Sequence, residues 1–577
     1  MNHALGHIHS GVQGFYEKYF PSLLEIEQAL QAQQEDSFLP GQGNLLSKPS
    51  TFAHSALTGQ SNLFEWLMLQ RGRMSNKWDW CISSSSNKEG DQIHLLRLLP
   101  KGQVPSTESK TATITQAVGC CHDHKFPKPY GASLDDLCFQ VQRVFELQPA
   151  RLYVHGFLIH GSTFTSWVFD RSGIYCPRAI PFHPETGAVN AVAILDSYRL
   201  MSTVQLGCNL TVSMRDNGQY LRLSEDNSKV ELRLDDTPSF SSGEIVGSGL
   251  SVFRAKHNSS PSWEFAVKFK WIVPGSISTV WPGEMKMLKL VTDRNVWGVI
   301  HLFDYQAMGS TEHLREGLQF DRTSTLQAGK KATSTQWSSY TAKAQDDQRA
   351  LQCTVIQPLG KPLDAFASIT QLLEAIRDAI KAHWSLYQNN ILHQDISVWN
   401  IMIPETRPLE PDGPRGILVD LDLAMELEDI LPDGRTRAGT PMFMAVGVLR
   451  CKHHTYRHDL ESFLYVLVWM VICRRCGPPL EGSLLERWRG DDVEKLGMVK
   501  EHDMRDDGFE AILEEFDAEF EGVKPLARSL RRILFCRKDL PGGESSLFFG
   551  TDGSEAGTHE LYNAMLRAFD ESLSSLS

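Results

Sequence analysis

Hydrophobic positions recur at helical spacing in several stretches of the 577-residue chain. Leu134, Leu137, Cys138, Val141, Val144 and Phe145 form one apolar stripe and predict a helix. Leu372, Ile376, Ile380 and Trp384, with Leu373 and Tyr387 beside them, predict another. Weaker periodicity predicts helices over residues 23–30 and 189–201. Between them the pattern turns extended. RLYVHGFLIHGSTFTSWVFDRSGIYC, residues 151–176, reads as strands broken by glycine and by the turn DRSG. LTVSMRDNGQYLRL, residues 210–223, reads as a hairpin, because Asn217 and Gly218 tolerate the positive φ of a tight turn. VELRL and EIVGSGLSVFRAK continue in extended form, and after Leu290 helices take over. A mainly β part before a mainly α part predicts an α+β fold.

Polar interruptions set the expected boundaries. Residues 1–130 carry few signals and read as a partly helical N-terminal region. Residues 131–240 read as an α+β accessory region, and 241–577 as the main domain. Residues 308–348 are rich in Ser and Thr and nearly aperiodic, which predicts an insertion in that domain. PETRPLEPDGPRG, residues 404–416, has too much proline for regular structure and predicts an exposed loop.

Composition narrows the function. Hydrophobic residues make up 41% of the chain, enough to bury a sizeable core. The net charge of −13 argues against nucleic acid as a partner. FLYVLVWMVIC, residues 463–473, is too short for a membrane span and predicts a buried helix. The first residues lack the basic start and apolar core of a signal peptide, so the expected location is intracellular, cytoplasmic or nuclear. The 11 cysteines are scattered and suggest no disulfide scaffold.

The candidate chemistry lies in ILHQDISVWNIMI, residues 391–403. It places His393, Asp395 and Asn400 between two apolar runs. After the proline-rich loop, ILVDLDLA puts Asp420 and Asp422 in a short apolar strand. Burying carboxylates there costs several kcal/mol unless a cation or strong donors compensate. Asn400 and Asp420 offer hard oxygens suited to magnesium held partly by a phosphorylated substrate. Asp395 is then placed as a base for a hydroxyl attacking phosphorus. Simple satisfaction of loop backbone groups would explain any one of these residues, but not all of them together. Upstream, Gly247 and Gly249 lie in a strand–turn–strand context, which disfavours a dinucleotide fold, where a helix follows the glycines.

HQDISVWN followed by VDLDLA resembles the catalytic loop and magnesium segment of the protein-kinase fold. The stretches VIQPLGKPLDAF, IKAHWSLYQNNILHQDIS and RHDLESFLYVLVWM are similar to the fungal-type protein kinase family, and the resemblance covers about residues 150–473. It implies a bilobal fold with a β-rich N-lobe, a helical C-lobe and an N-terminal α/β extension. It implies ATP and Mg²⁺ as cofactors and a protein substrate. By this resemblance Gly247 and Gly249 cover the phosphates, Lys268 in EFAVKFKW holds them, and Glu284 pairs with Lys268. Val252 and Ala266 press on the adenine, Ile356 backs the pocket, and Gln357 begins the hinge. Thr440 lies beside the catalytic aspartate, and Asp459 supports the catalytic-loop backbone together with His393.

Several positions depart from the kinase pattern. Gln394 replaces the arginine that pairs with an activation-segment phosphate, and Ser397 replaces a phosphate-contacting lysine. Leu421 and Asp422 replace the Phe and Gly of Asp-Phe-Gly. Gly447 replaces the glutamate that braces the activation segment, which predicts a looser segment. The retained set favours a Ser/Thr protein kinase. The Asp-x-Asp pattern and Ser397 keep open a small-molecule kinase of the aminoglycoside or choline type, and the sum of departures keeps open a pseudokinase interaction module.

Overall fold

A computed structural model describes residues 7–21, 77–86, 92–103, 107–122, 129–161, 163–181, 187–215, 218–223, 230–274, 283–320, 348–405, 412–430, 437–490, 492–539, 545–548 and 554–576. The predicted helix at 23–30 and most of the predicted insertion at 308–348 lie outside these residues. The fold is α+β. The chain divides into two compact units: Met1–Trp263 with Val267–Pro274 and Asp304–Thr354, and Glu264–Ala266 with Gly275–Phe303 and Val355–Ser577.

The first unit opens with β1 (Ile8–His9), α1 (Phe15–Tyr19), β2 (Trp78–Ser86), β3 (Gln92–Pro100), α2 (Glu108–Ile114) and β4 (Ala117–His122). It continues with α3 (Tyr130–Leu147), β5 (Tyr153–His160), β6 (Thr163–Asp170), β7 (Gly173–Tyr175), β8 (Ile180–Pro181) and α4 (Gly187–Leu200). The strands form one sheet in the order β1-β7-β6-β5-β4-β3-β2, with β8 beside β6. Both faces are covered. Tyr153, Phe157 and Ile159 of β5 pack with Ile194, Leu195 and Tyr198 of α4. Val154 and Leu158 pack on the other face with Leu137, Val141 and Phe145 of α3. Burial on both faces explains why residues 153–159 read as a nearly continuous apolar run. The sheet runs through residue 130, because β4 pairs in parallel with β5, so the expected boundary there is not a structural one.

A second sheet follows. It contains β9 (Val212–Arg215), β10 (Gly218–Arg222), β11 (Glu231–Leu234), β12 (Phe240–Ser241), β13 (Ser251–His257), β14 (Phe265–Ile272), β15 (His301–Ser310) and β16 (Ala350–Gln357). Its order is β15-β16-β14-β13-β11-β10-β9, with β12 beside β13. The predicted hairpin is β9–β10. Because β11 pairs with β13, the expected boundary at residue 240 falls inside this sheet. Residues 153–181 and 212–234, expected as one accessory region, therefore belong to different sheets.

His155 lies in the first unit, ringed edge-on or tilted by Tyr19, Phe20, Tyr153 and Tyr198. Its Nε2 is 3.1 Å from the Gln205 carbonyl oxygen, which fixes the proton on Nε2. Burial pushes its pKa down to about 3, so the folded protein keeps the ring neutral. The unfolded chain takes up that proton below about pH 6.5 and the folded one does not, so stability falls as pH drops toward 3. The slope is about 1.4 kcal/mol per pH unit for this group. Urea unfolding at pH 7, 6 and 5 should show that decline, and His155→Phe should flatten it by about that amount.

The second unit contains α5 (Glu284–Asp293), β17 (Gly360–Pro362), α6 (Ile369–Gln388), β18 (Ile391–Leu392), β19 (Ile401–Pro404), β20 (Ile417–Leu418) and β21 (Met425–Glu426). The helices α7 (Val446–Leu449), α8 (Tyr456–Cys473), α9 (Val493–Asp503), α10 (Asp506–Glu514), α11 (Lys524–Leu534) and α12 (Glu555–Leu576) complete it. The helix α6 carries the predicted stripe, capped by the Ser368 hydroxyl on the Gln371 N–H, and buries Leu372, Ile376 and Ile380. The run 463–473 lies in α8, which is buried along nearly its whole length. Among the described residues no helix is long and apolar enough to cross a membrane.

Candidate functional site

The loop 393–400 leaves β18 in one small sheet and enters β19 in another, so both its ends are pinned. The hydrogen-bonded pairs β18–β21 and β19–β20 hold it against the segment carrying Asp420. Gln394 has φ +65°, and its N–H points to Asp459 Oδ2 at 3.0 Å. Positive φ at a non-glycine residue is unfavourable, so this hydrogen bond helps fix the turn immediately before Asp395. The next turn is closed by the Asn400 N–H on the Ser397 carbonyl oxygen.

Asp395 is the hub of the loop. Its Oδ1 accepts from both the N–H and the hydroxyl of Thr440, each at 2.8 Å. Its Oδ2 accepts from Asn400 Nδ2 at 3.0 Å, and the same amide nitrogen bonds the Asp395 carbonyl oxygen at 2.9 Å. Those two bonds commit the NH2 end of the Asn400 side chain and leave the amide oxygen Oδ1 as its remaining acceptor. Thr440 reaches Asp395 because Gly439 has φ +114°, and a Cβ there would come within 2.9 Å of the Gln394 carbonyl oxygen.

Asp420 follows β20, also with positive φ, at +61°. The Val419 N–H donates to the Asn400 carbonyl oxygen at 3.0 Å, which joins the two segments backbone to backbone. One oxygen each of Asp420, Asp422 and Glu284 lie within 4.8 Å of one another, all three side chains being half-buried. Three hard oxygens at that spacing fit a divalent cation such as magnesium. The sequence reading named Asp420 as the ligand and gave Asp422 as a second carboxylate of the same apolar strand, at a glycine position of the kinase pattern. Its partial burial beside Asp420 is what the Asp-x-Asp spacing signalled.

The buried support shell is richer than the sequence suggested. Asp459 is enclosed in the helical core. Its Oδ2 is 2.9 Å from His383 Nε2 and its Oδ1 is 2.7 Å from His454 Nε2. Tyr562 of α12 bonds the other nitrogen of His383 at 2.7 Å, which ties the last helix through His383 and Asp459 to the loop 393–400. Burial acts to raise the Asp459 pKa, but His454 and His383 more than offset it and hold the carboxyl far below its usual range. His393 Nε2 is 3.1 Å from the Val419 carbonyl oxygen, and burial keeps its pKa below the ordinary value against the pull of Asp459 and Asp395. Sequence reasoning found Asp459 and missed His383. The visible signal was a histidine on the buried stripe of α6, at i+3 from Ile380.

The segment after Thr440 differs from the expectation of looseness. Gly447 lacks the expected glutamate, and a Cβ there would collide with His458. Instead Glu461, one turn further into α8, accepts the Val446 N–H at 2.7 Å. Glu461 also pairs with Arg457 at 2.9 Å and accepts from the Tyr465 hydroxyl at 2.7 Å. The buried Lys500 donates to the Met444 carbonyl oxygen at 2.7 Å and sits 3.9 Å over the Tyr465 ring. Burial pulls the Lys500 pKa well down, opposed by Glu461 and Asp503. The brace is therefore supplied from helices α8 and α9. Glu461→Gln keeps the shape but removes the charge facing Arg457, and should cost about 2 kcal/mol in urea unfolding. Limited proteolysis within residues 437–449 should accelerate alongside.

The other predicted residues sit on the second sheet or near it. Gly247 and Gly249 have φ +132° and +50° and form the turn between β12 and β13. Val252 is half-buried on β13, Lys268 is buried on β14, and Ala266 is half-buried on β14. The Ser248 carbonyl oxygen accepts the Trp271 N–H at 2.7 Å, which fastens the turn to the strand bearing Lys268. Ile356 packs into the helical unit's core and Gln357 is exposed at the end of β16.

A strand-rich stretch followed by helices, with an aspartate held this way at the head of a loop, fits a kinase-type phosphotransferase. A family model described as fungal protein kinase matches residues 98–471, well over half of the chain. The chain belongs to the fungal protein kinase family. The match begins upstream of residue 150, so α3 and β4 of the first sheet are part of the family's common region. No curated protein matches the chain.

Proposed function

We propose that the chain is an ATP- and magnesium-dependent protein kinase that phosphorylates Ser or Thr hydroxyls. The observation that carries this reading is the Asp395 carboxylate, oriented by Thr440 and Asn400, in a loop bonded backbone to backbone to the segment of Asp420 and Asp422, whose carboxylate oxygens lie within 4.8 Å of one of Glu284. Asp395 takes the proton of the substrate hydroxyl as its oxygen bonds the γ-phosphorus and the bond to the ADP oxygen breaks. Asn400 and Asp420 would hold magnesium, with Asp422 as a further oxygen donor. The bound magnesium would neutralise phosphate charge in the transition state. In this reading Lys268 and the Gly247–Gly249 turn are assigned to the phosphates, and Val252, Ala266, Ile356 and Gln357 to the base. In this reading the chain has a bilobal kinase-like fold with an N-terminal extension, and its partner is a protein substrate.

A small-molecule kinase is the second reading, favoured by the placing of Asp422 beside Asp420 and by the buried Ser397 at a position where Ser/Thr kinases carry lysine. Labelled ATP with magnesium, offered to peptide libraries and to pools of amino alcohols and aminoglycosides, separates the two. Transfer to peptide supports the proposal. Transfer to neither pool, with no magnesium-dependent thermal shift by ATP, sinks both readings in favour of a non-catalytic module.

A further inference from the structure

The turn Asp170-Arg171-Ser172-Gly173 joins β6 to β7 in the first sheet and is absent from any role assigned above. One side of it is rigidly held. Asp170 is fully buried, accepts the N–H groups of Ser172 and Gly173 at 2.8 and 2.9 Å, and takes a forked pair of bonds from Arg315 at 2.8 and 2.6 Å. Ser172 and Thr311 share a hydroxyl–hydroxyl bond at 2.8 Å.

Arg171 contacts the glycine turn itself. Its carbonyl oxygen accepts the Gly247 N–H at 2.9 Å. Its Nη1 donates to the carbonyl oxygens of Glu244 and, at 3.4 Å, Ile245. Its Cζ lies 4.1 Å from the centre of the Phe145 ring on α3. A Cβ on Gly249 would fall 2.5 Å from Arg171 Cζ and 2.8 Å from Nη1, so glycine there gives the guanidinium its room. Ile245 and Val246 in turn pack into the apolar layer between α3 and the first sheet. The guanidinium is buried and its Nε has no hydrogen-bond partner among the described residues. Keeping an incompletely bonded cation buried is costly, and a hydrophobic residue would fill the space over Phe145 more cheaply. What a hydrophobic residue could not do is hold two successive carbonyls of the chain that leads into Gly247.

We infer that Arg171 is a positioning residue for the Gly247–Gly249 turn, so that nucleotide affinity depends on the DRSG turn of the first sheet. The inference deepens the proposed function, since it rests on that turn covering phosphates. It also explains how the Gly247–Gly249 turn keeps its shape: a side chain of the first sheet holds the chain that leads into it. The match of the family model across both sheets is consistent with their acting together.

The test uses the full chain with Arg171→Met, which keeps an apolar stem over Phe145 and removes the bonds to the carbonyls. Two quantities are read: the Kd and KM for magnesium–ATP, and amide hydrogen exchange in peptides spanning residues 244–250 and 393–400. We expect Kd and KM to rise about tenfold or more while kcat at saturating ATP stays within about threefold. Exchange over 244–250 should quicken by a similar factor and exchange over 393–400 should not change. A purely structural role would lower the melting temperature without that split. Wild-type exchange over 244–250 overturns the inference, and so does wild-type ATP affinity in a protein whose Lys268→Met control has lost binding. Should the parent chain bind no ATP, the proposed function fails, and the exchange measurement alone decides whether Arg171 holds the turn. If Arg171→Met does not fold, Arg171→Lys, which keeps the charge and loses the planar fork, gives the same readings.

Discussion

Asp395→Asn is expected to lower phosphoryl transfer by about a hundred- to ten-thousandfold while leaving the affinity for magnesium–ATP within about twofold. The substitution preserves the volume of the side chain and an acceptor for the Thr440 hydroxyl and N–H, both of which now bond Oδ1. It removes the only group in the clamp that can take a proton. It also sets one NH2 group against another, because Oδ2 presently accepts from Asn400 Nδ2 at 3.0 Å. Asn400 would have to turn its amide and surrender the orientation that leaves its carbonyl oxygen for a cation. The loss should therefore exceed that of a missing base alone and be partly reflected in a weaker dependence on magnesium. Single-turnover transfer from labelled ATP, compared with equilibrium nucleotide binding, measures the two effects separately. Full activity in this variant would falsify the assignment of Asp395.

The candidate loop 393–400 was legible in the sequence because its geometry is local. His393, Asp395 and Asn400 lie within eight residues, and the flanking apolar runs announce the pinned ends. Helices with a clear stripe were equally legible: the spacing of Leu372, Ile376 and Ile380 led directly to α6. The boundaries at 130 and 240 were not, for a physical reason. They are decided by which strands pair, and those pairs join distant residues, such as Ile8 with Ile174 in parallel register. Nothing in the local pattern of either strand names its partner. The support shell was hidden for a related reason. His383 meets Asp459 only once the helices α6 and α8 have packed, and a lone histidine in a sequence is mute about its neighbours. Gln394 shows the limit in reverse. Its side chain drew attention as a lost arginine, whereas its contribution in the fold is a backbone N–H aimed at Asp459 from a strained φ.

Asp459→Ala should be the most damaging single change in the helical unit, costing about 3–5 kcal/mol of stability and most of the activity. The carboxylate satisfies three buried donors at once: the Gln394 N–H and the ring nitrogens of His383 and His454. Deleting it leaves all three facing a cavity, and His383 then keeps only its bond to Tyr562. The catalytic consequence follows from position. Without its acceptor Gln394 has less reason to hold φ +65°, and relaxation there redirects Asp395, the next residue along. Asp459→Asn separates the two effects. It keeps an acceptor for some of the donors and fills the space, so its stability loss should be about half, but its NH2 end must confront a donor. Urea unfolding of both variants gives the stability terms. Rescue of transfer activity in Asp459→Asn relative to Asp459→Ala, at temperatures where both remain folded, would show that loop geometry rather than global stability carries the effect. Equal activity of Asp459→Ala and the parent under those conditions would remove Asp459 from the site's architecture.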